Sequence, residues 1–422
     1  MTCAPVVVTL MLTGALAAGG PCFGQEAQSG ADAQPEQAEG ESGWARMRGW
    51  QERGESFLDA AHRRGVYPEV GSIVSGSGAA GGIGLRYPSL GGSRFGVELE
   101  GMWSVRGYYE YGARFGLLGG WREALELDRI DTNLTSLFDT GELKAAGTHA
   151  IYLEAVHRRF PQLDFFGLAS SVDGVKTDFA ASGPSLDLVA HWQPTSEIGL
   201  VGRIGVIDLD IGTGTNDSVL DLERHYAPVA APALDRQIPW LAIGLAGGAD
   251  SRNSVKLPTT GGFVAAAIWQ LESLEGESQE VTRGMLDVRF FQRVFSDRHV
   301  AAVRILTSAD YVSNGGRTPF YLQYWLGGSH TLRGYSSYRF RGQAIMHVTA
   351  EYRWRVAPMF DVVPFIDIGS VGERPSELLK GTIHASPGAG LWARGDDRFY
   401  FRIDWSHGQE GHRFLWSLSP SF

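Results

Sequence analysis

Cysteine is almost absent from this 422-residue sequence, and Cys3 and Cys22 are all of it. A disulfide framework is thereby excluded. Lysine is scarce as well, limited to Lys144, Lys176, Lys256 and Lys380. The formal charge of −10 argues against nucleic-acid binding, which needs a basic surface. Long apolar runs are missing too. The longest, Val6 to Ala18, is too short to span a bilayer, and no later segment approaches that length. Chemistry-bearing motifs are absent in the same way. There is no G-x-S-x-G nucleophile elbow, no H-E-x-x-H, and no ligand spacing among the histidines. The chain is therefore not expected to be an enzyme, and no catalytic residue, metal or cofactor is assigned.

The chain begins with an export signal. The apolar stretch Val6–Ala18 has the length of a signal core, and small residues offer cleavage after Ala17 or Gly24. No Lys or Arg precedes Arg46, so the usual basic leader is missing, and a membrane anchor is the alternative. We assign residues 1–24 to the signal. Residues 25–42 are acidic and aperiodic and read as a disordered linker. Over residues 43–65, Trp44, Met47, Trp50, Phe57, Leu58 and Ala61 share one face of a helix that is amphipathic and weakened by Gly49 and Gly54.

From about residue 66 to the end the period becomes two. Met346, Val348, Ala350, Tyr352 and Trp354 alternate with His347, Thr349, Glu351 and Arg353, and Leu286 and Val288 alternate with Asp287 and Arg289. One face is apolar and the other fully charged. A soluble sandwich and a membrane barrel both alternate, but many runs reach the roughly 10 residues that a tilted membrane strand needs. Sixteen such segments can be counted, joined alternately by short turns and long loops, with 120–146 a long insertion on the short-turn side. The expected fold is all-β, a 16-stranded antiparallel transmembrane β-barrel over 66–422. A G-x-G-x-x-G run at Gly76–Gly81 leads into an extended segment, so it reads as a hairpin tip and not as a nucleotide site. Glu98, Glu100 and Asp404 fall on the inward face, where they could pair catalytically, but ionised side chains are the rule in a wet lumen.

One loop stands out, "LGGSHTLRGYSSYRFRG" at 326–342. Folded into the barrel, it would bring Arg333 to the inward carboxylates Asp367 and Glu351, whose geometry an arginine fork can match. Spacing alone leaves this latch and a solvated outer loop equally open.

These residues resemble the bacterial surface antigen family, the superfamily of outer-membrane assembly factors and two-partner secretion transporters. The likeness rests on Leu332-Arg333-Gly334-Tyr335 after Gly327-Gly328, on Glu351, and on Phe365-Ile366-Asp367-Ile368-Gly369. Weaker similarity lies in "GGADSRNSVKLPTTGG", with Asn253 in place of an acid, and in "FPQLDFFG" at 160–167. The resemblance implies that Arg333 pairs with Asp367 inside the barrel with Glu351 as second acceptor, and that the terminal Phe422 is a barrel-insertion signal. It also implies outer-membrane location, contact with outer-membrane lipid, and insertion or translocation of polypeptide or lipid. Clients would be unfolded outer-membrane or secreted chains. The family's polypeptide-transport-associated domains do not fit ahead of the barrel, so a short member is expected, with a periplasmic partner to supply them. A structural or porin-like channel is the alternative function, and an outer-membrane hydrolase is less favoured.

Overall fold

The structure, a computed structural model, describes the chain from Gly65 onward apart from residues 88, 118–147, 169–173, 217, 227–230, 235–237, 256, 277–278 and 396–398. The signal, the linker, nearly all of the 43–65 helix and the 120–146 insertion thus lie outside the described residues.

Sixteen barrel strands follow one another: β1 Val66–Gly71, β2 Ala80–Tyr87, β3 Gly96–Ser104, β4 Tyr109–Leu117, β5 Thr148–Phe165, β6 Thr177–Gln193, β7 Ile198–Ile207 and β8 Trp240–Asp250. Then come β9 Gly261–Ser273, β10 Glu280–Arg293, β11 His299–Val312, β12 Ala344–Ala357, β13 Phe360–Gly372, β14 His384–Arg394, β15 Phe399–Gly408 and β16 Gly411–Ser417. Each pairs antiparallel with the next. The result is the antiparallel barrel that the alternation predicts. β1 and β16 end the order and so flank its seam.

The surface is inverted relative to a soluble protein. On β10, Leu286 and Phe290 are 38% and 55% exposed while Asp287 and Arg289 are 0% and 3%. β13 repeats this, with Ile366 outward and Phe365 and Asp367 inward. An apolar outer wall around a charged interior suits a bilayer. Inside, the charges are paired. Arg114 bridges Glu100 and Glu154, Arg203 joins Glu154 to Asp187, and Asp287 accepts from both Arg289 and Arg304. Glu98, buried, takes the Tyr67 hydroxyl and Arg86.

Two rims result. Long connections, including 166–176, 208–239, 313–343 and 373–383, lie on one rim, and short turns such as 194–197, 294–298 and 358–359 lie on the other. The run Gly76–Gly81 closes the β1–β2 hairpin, where Gly76 and Gly78 adopt positive φ. At the short-turn rim Arg252 forms a two-pronged pair with Asp250, and Asn253 Oδ1 accepts the N–H groups of Thr259 and Thr260. Asn253 thus supplies the acceptor that an acid would otherwise provide there.

The last strand is shorter than its pattern. The alternation Phe414, Trp416, Leu418, Pro420, Phe422 continues to the terminus, yet β16 stops at Ser417. Pro420 has no N–H for a ladder. Ser417 Oγ accepts from Ser419 N at 3.2 Å, and Arg402 Nε donates to Ser419 O at 3.0 Å, drawing the chain inward. Phe422 ends inside the barrel, 5.8 Å from the Phe291 ring, with Arg353 over its face at 5.2 Å.

Candidate functional site

The connection between β11 and β12 folds back into the lumen. Its stem is a small ladder in which Tyr324–Leu326 pairs with Phe340–Gly342. Above the stem, the Thr331 hydroxyl accepts from Gly327 N at 2.8 Å, and Gly328 N donates to Tyr335 O at 3.2 Å. Gly327 and Gly328 have φ of 119° and 93°, a region that side chains rarely enter, so this turn needs both glycines. Leu326 and Leu332 then pack on Gly369 of β13, where a Cβ would come within 2.7 Å of Leu326. Gly334 lies equally close to β15, 2.8 Å from Gly408 N for an added Cβ. The loop fits the wall because the wall and the tip both lack side chains at the points of contact.

The tip carries Arg333, 1% exposed. Its Nε and Nη2 donate to the two oxygens of Asp367 at 2.9 and 2.7 Å, and its backbone N donates to Asp367 at 3.1 Å. Glu351 lies 3.1 Å from Nη1 and Asp404 3.5 Å. The Phe365 ring stacks on the guanidinium, its centroid 3.2 Å from Cζ. Burial lowers the arginine's pKa, but Asp367, Glu351 and Asp404 more than offset that and raise it above the ordinary value. Arg353 also binds Glu351, at 2.9 Å, and Arg402 binds Asp404. Arg333, Arg353 and Arg402 therefore balance Glu351, Asp367 and Asp404. Thr349 adds a donor to Asp367 at 3.0 Å.

Arg333, Asp367 and Glu351, which the sequence singles out, are thus brought together, with Gly334 and Tyr335 beside them. Tyr335 is fully buried against Phe340 and His384 at 5.0 and 5.5 Å. Asp404 was legible only as an inward carboxylate. Period two places it on the lumenal face of β15, but nothing in the sequence ties its depth to Arg333. Phe422 stands apart from Arg333, although Arg353 joins the two, contacting Phe422 on one side and Glu351 on the other.

Around the stem an aromatic cap packs within the lumen. Phe320 packs edge-on against Phe165 and Phe179 at 5.2 and 5.0 Å, and Tyr226 reaches Phe165 at 5.2 Å. Arg341 sits among these rings, 2% exposed, with Phe165, Phe179, Trp325 and Tyr338 each within 5.9 Å and the Phe320 carbonyl as acceptor at 3.1 Å. Burial pushes its guanidinium down to about 10. The cap is held by rings where the tip is held by carboxylates.

No curated protein matches the chain. Among solved structures it is similar to BamA from Haemophilus ducreyi lacking POTRA domains 1–3, at 13% identity, covering 88% of this chain and 78% of that one, with a TM-score of 0.50. CdiB from Acinetobacter baumannii aligns at 12% identity over 84% and 56% of the two chains, with a TM-score of 0.45. CdiB from Escherichia coli aligns at 10% over 83% and 62%, with a TM-score of 0.47. At such identity only the fold is shared. The family comparison reaches further, because its match covers residues 234–416 and so takes in β8 to β16 together with the loop that carries Arg333. Residues 234–416 match the Omp85 superfamily domain, and the arginine tip, Glu351 and the F-x-D-x-G strand all fall within that match.

Proposed function

We propose that this chain is an outer-membrane barrel that inserts polypeptide into the membrane or moves it across, with lipid as the other cargo such a barrel would admit. One observation carries the reading. The lumen is filled by 313–343 and its aromatic cap, while the strands flanking the seam, β1 with 6 residues and β16 with 7, are the shortest of the sixteen. No neighbouring pair could form fewer ladder bonds than β1 and β16, because the 6 residues of β1 set the limit. A passage is cheaper to open there than through the packed lumen. A filled lumen tells against the porin-like alternative, which needs a standing aqueous channel. Unfolded outer-membrane or secreted chains are the proposed clients, and a periplasmic partner is the proposed source of client-collecting domains.

The test is photo-crosslinking in cells from Ile73, in the hairpin that follows β1. Adducts with other outer-membrane or secreted chains support the reading. Adducts confined to β16 or to lipid overturn it.

A further inference from the structure

The lumenal loop does more than reach Asp367. Past its tip, residues 335–339 run along the long-loop rim and touch both hairpins that border the seam. On the β15–β16 side, Arg339 pairs with Glu410 in the turn, and Arg413 Nη1 donates to Ser336 Oγ at 3.1 Å. Gln409 N donates to the Tyr335 hydroxyl at 3.3 Å, and Ser336 N donates to Glu410 at 3.4 Å. On the β1–β2 side, the Tyr338 hydroxyl donates to Ser75 O at 3.3 Å. Tyr338 makes that reach from φ 63°, a conformation unusual for a tyrosine, with its ring held against Trp325 at 5.0 Å.

We infer that Tyr335–Arg339 form a clasp that holds the first and last hairpins together at the long-loop end of the seam. The inference rests on the proposed function for its use, but the contact itself does not. The clasp is lopsided. The last hairpin is held by an ion pair and several hydrogen bonds, and the first, among the described contacts, by the hydrogen bond from Tyr338. Release is therefore cheapest at Tyr338–Ser75, leaving the loop attached to β15–β16. A backbone conformation that favours glycine lies at the same residue, so letting go also relaxes the loop.

The test measures the seam and not its clients. Spin labels are placed at Ser72→Cys and Gln409→Cys, both exposed, in the full chain with Cys3 and Cys22 changed to serine. The distance distribution is recorded for the parent, for Tyr338→Phe, for Glu410→Gln, and for the two combined. Losing one hydrogen bond should raise the separated population about fivefold in Tyr338→Phe. The combined variant should exceed it, and exchanging the charges with Arg339→Glu and Glu410→Arg should return the distribution toward that of the parent. Tyr338, Arg339 and Glu410 all lie at the long-loop rim, and heat-shifted gel mobility checks that each barrel has folded. Distributions identical in the parent and the combined, folded variant overturn the clasp. A barrel that opens on losing the clasp yet yields no client adducts from Ile73 would retain this inference and lose the proposed function.

Discussion

Arg333 and Arg341 sit in the same loop, equally buried, and make opposite predictions. Arg333 is surrounded by acids, so Arg333→Ala strands the buried Asp367 and leaves Glu351 to Arg353 alone, and should cost about 3–5 kcal/mol. A thermal-unfolding midpoint unchanged from the parent would remove the latch. Lysine should rescue little, because a single ammonium cannot make the two-pronged contact with Asp367. Arg341 contacts four rings and a carbonyl, so Arg341→Met leaves no acid behind and exchanges cation–π contacts for apolar packing. Its loss should be at most about half that of Arg333→Ala, on the scale of buried ion pairs against hydrophobic substitutes. Urea midpoints in the same detergent would rank the two, and the reverse order would show that the cap and not the tip holds the loop. The scarcity of lysine acquires a reason at this scale. The buried cations of the described lumen are arginines, whose planar forks are shared between acids on neighbouring strands, as Arg114 is between Glu100 and Glu154.

Among elements, the loop 313–343 and the two end strands carry the argument. Removing residues 327–339 deletes the tip and clasp while sparing every barrel strand. Single-channel recording in planar bilayers should then show a larger steady conductance than the intact chain, since the acids on β12, β13 and β15 would face water. An unchanged conductance would mean that the aromatic cap alone seals the barrel. The strands themselves were legible in sequence because period two sorts lipid-facing from lumen-facing residues, and it did so from Glu98 on β3 to Asp404 on β15. The loop's destination was not legible that way. Its glycines and Arg333 fit a flexible outer turn equally well, and only the match to a known pattern favoured the lumen. The end of β16 misled for a different reason. Alternation records which face a residue would take if the strand continued, and the Ser417–Ser419 contacts with Pro420 end the strand first.

At the scale of the whole molecule, the barrel is an inverted protein whose interior is held by guanidinium–carboxylate pairs and whose exterior has no core to join. Its stability should therefore be shared between partners that are lost together. Asp367→Asn should cost stability in the parent but little further in Arg333→Ala, and equal costs in both backgrounds, read from urea midpoints, would argue that Phe365 stacking holds the loop. The inward-turned chain end has a practical consequence for anyone handling this protein. With Phe422 lodged against Phe291 and Arg353 beside the short-turn rim, anything joined beyond it would start inside the barrel wall and load that aromatic seat. A purification handle fused there would act on the Phe422 seat as a mutation does, whereas one in an exposed long-loop connection would leave it untouched.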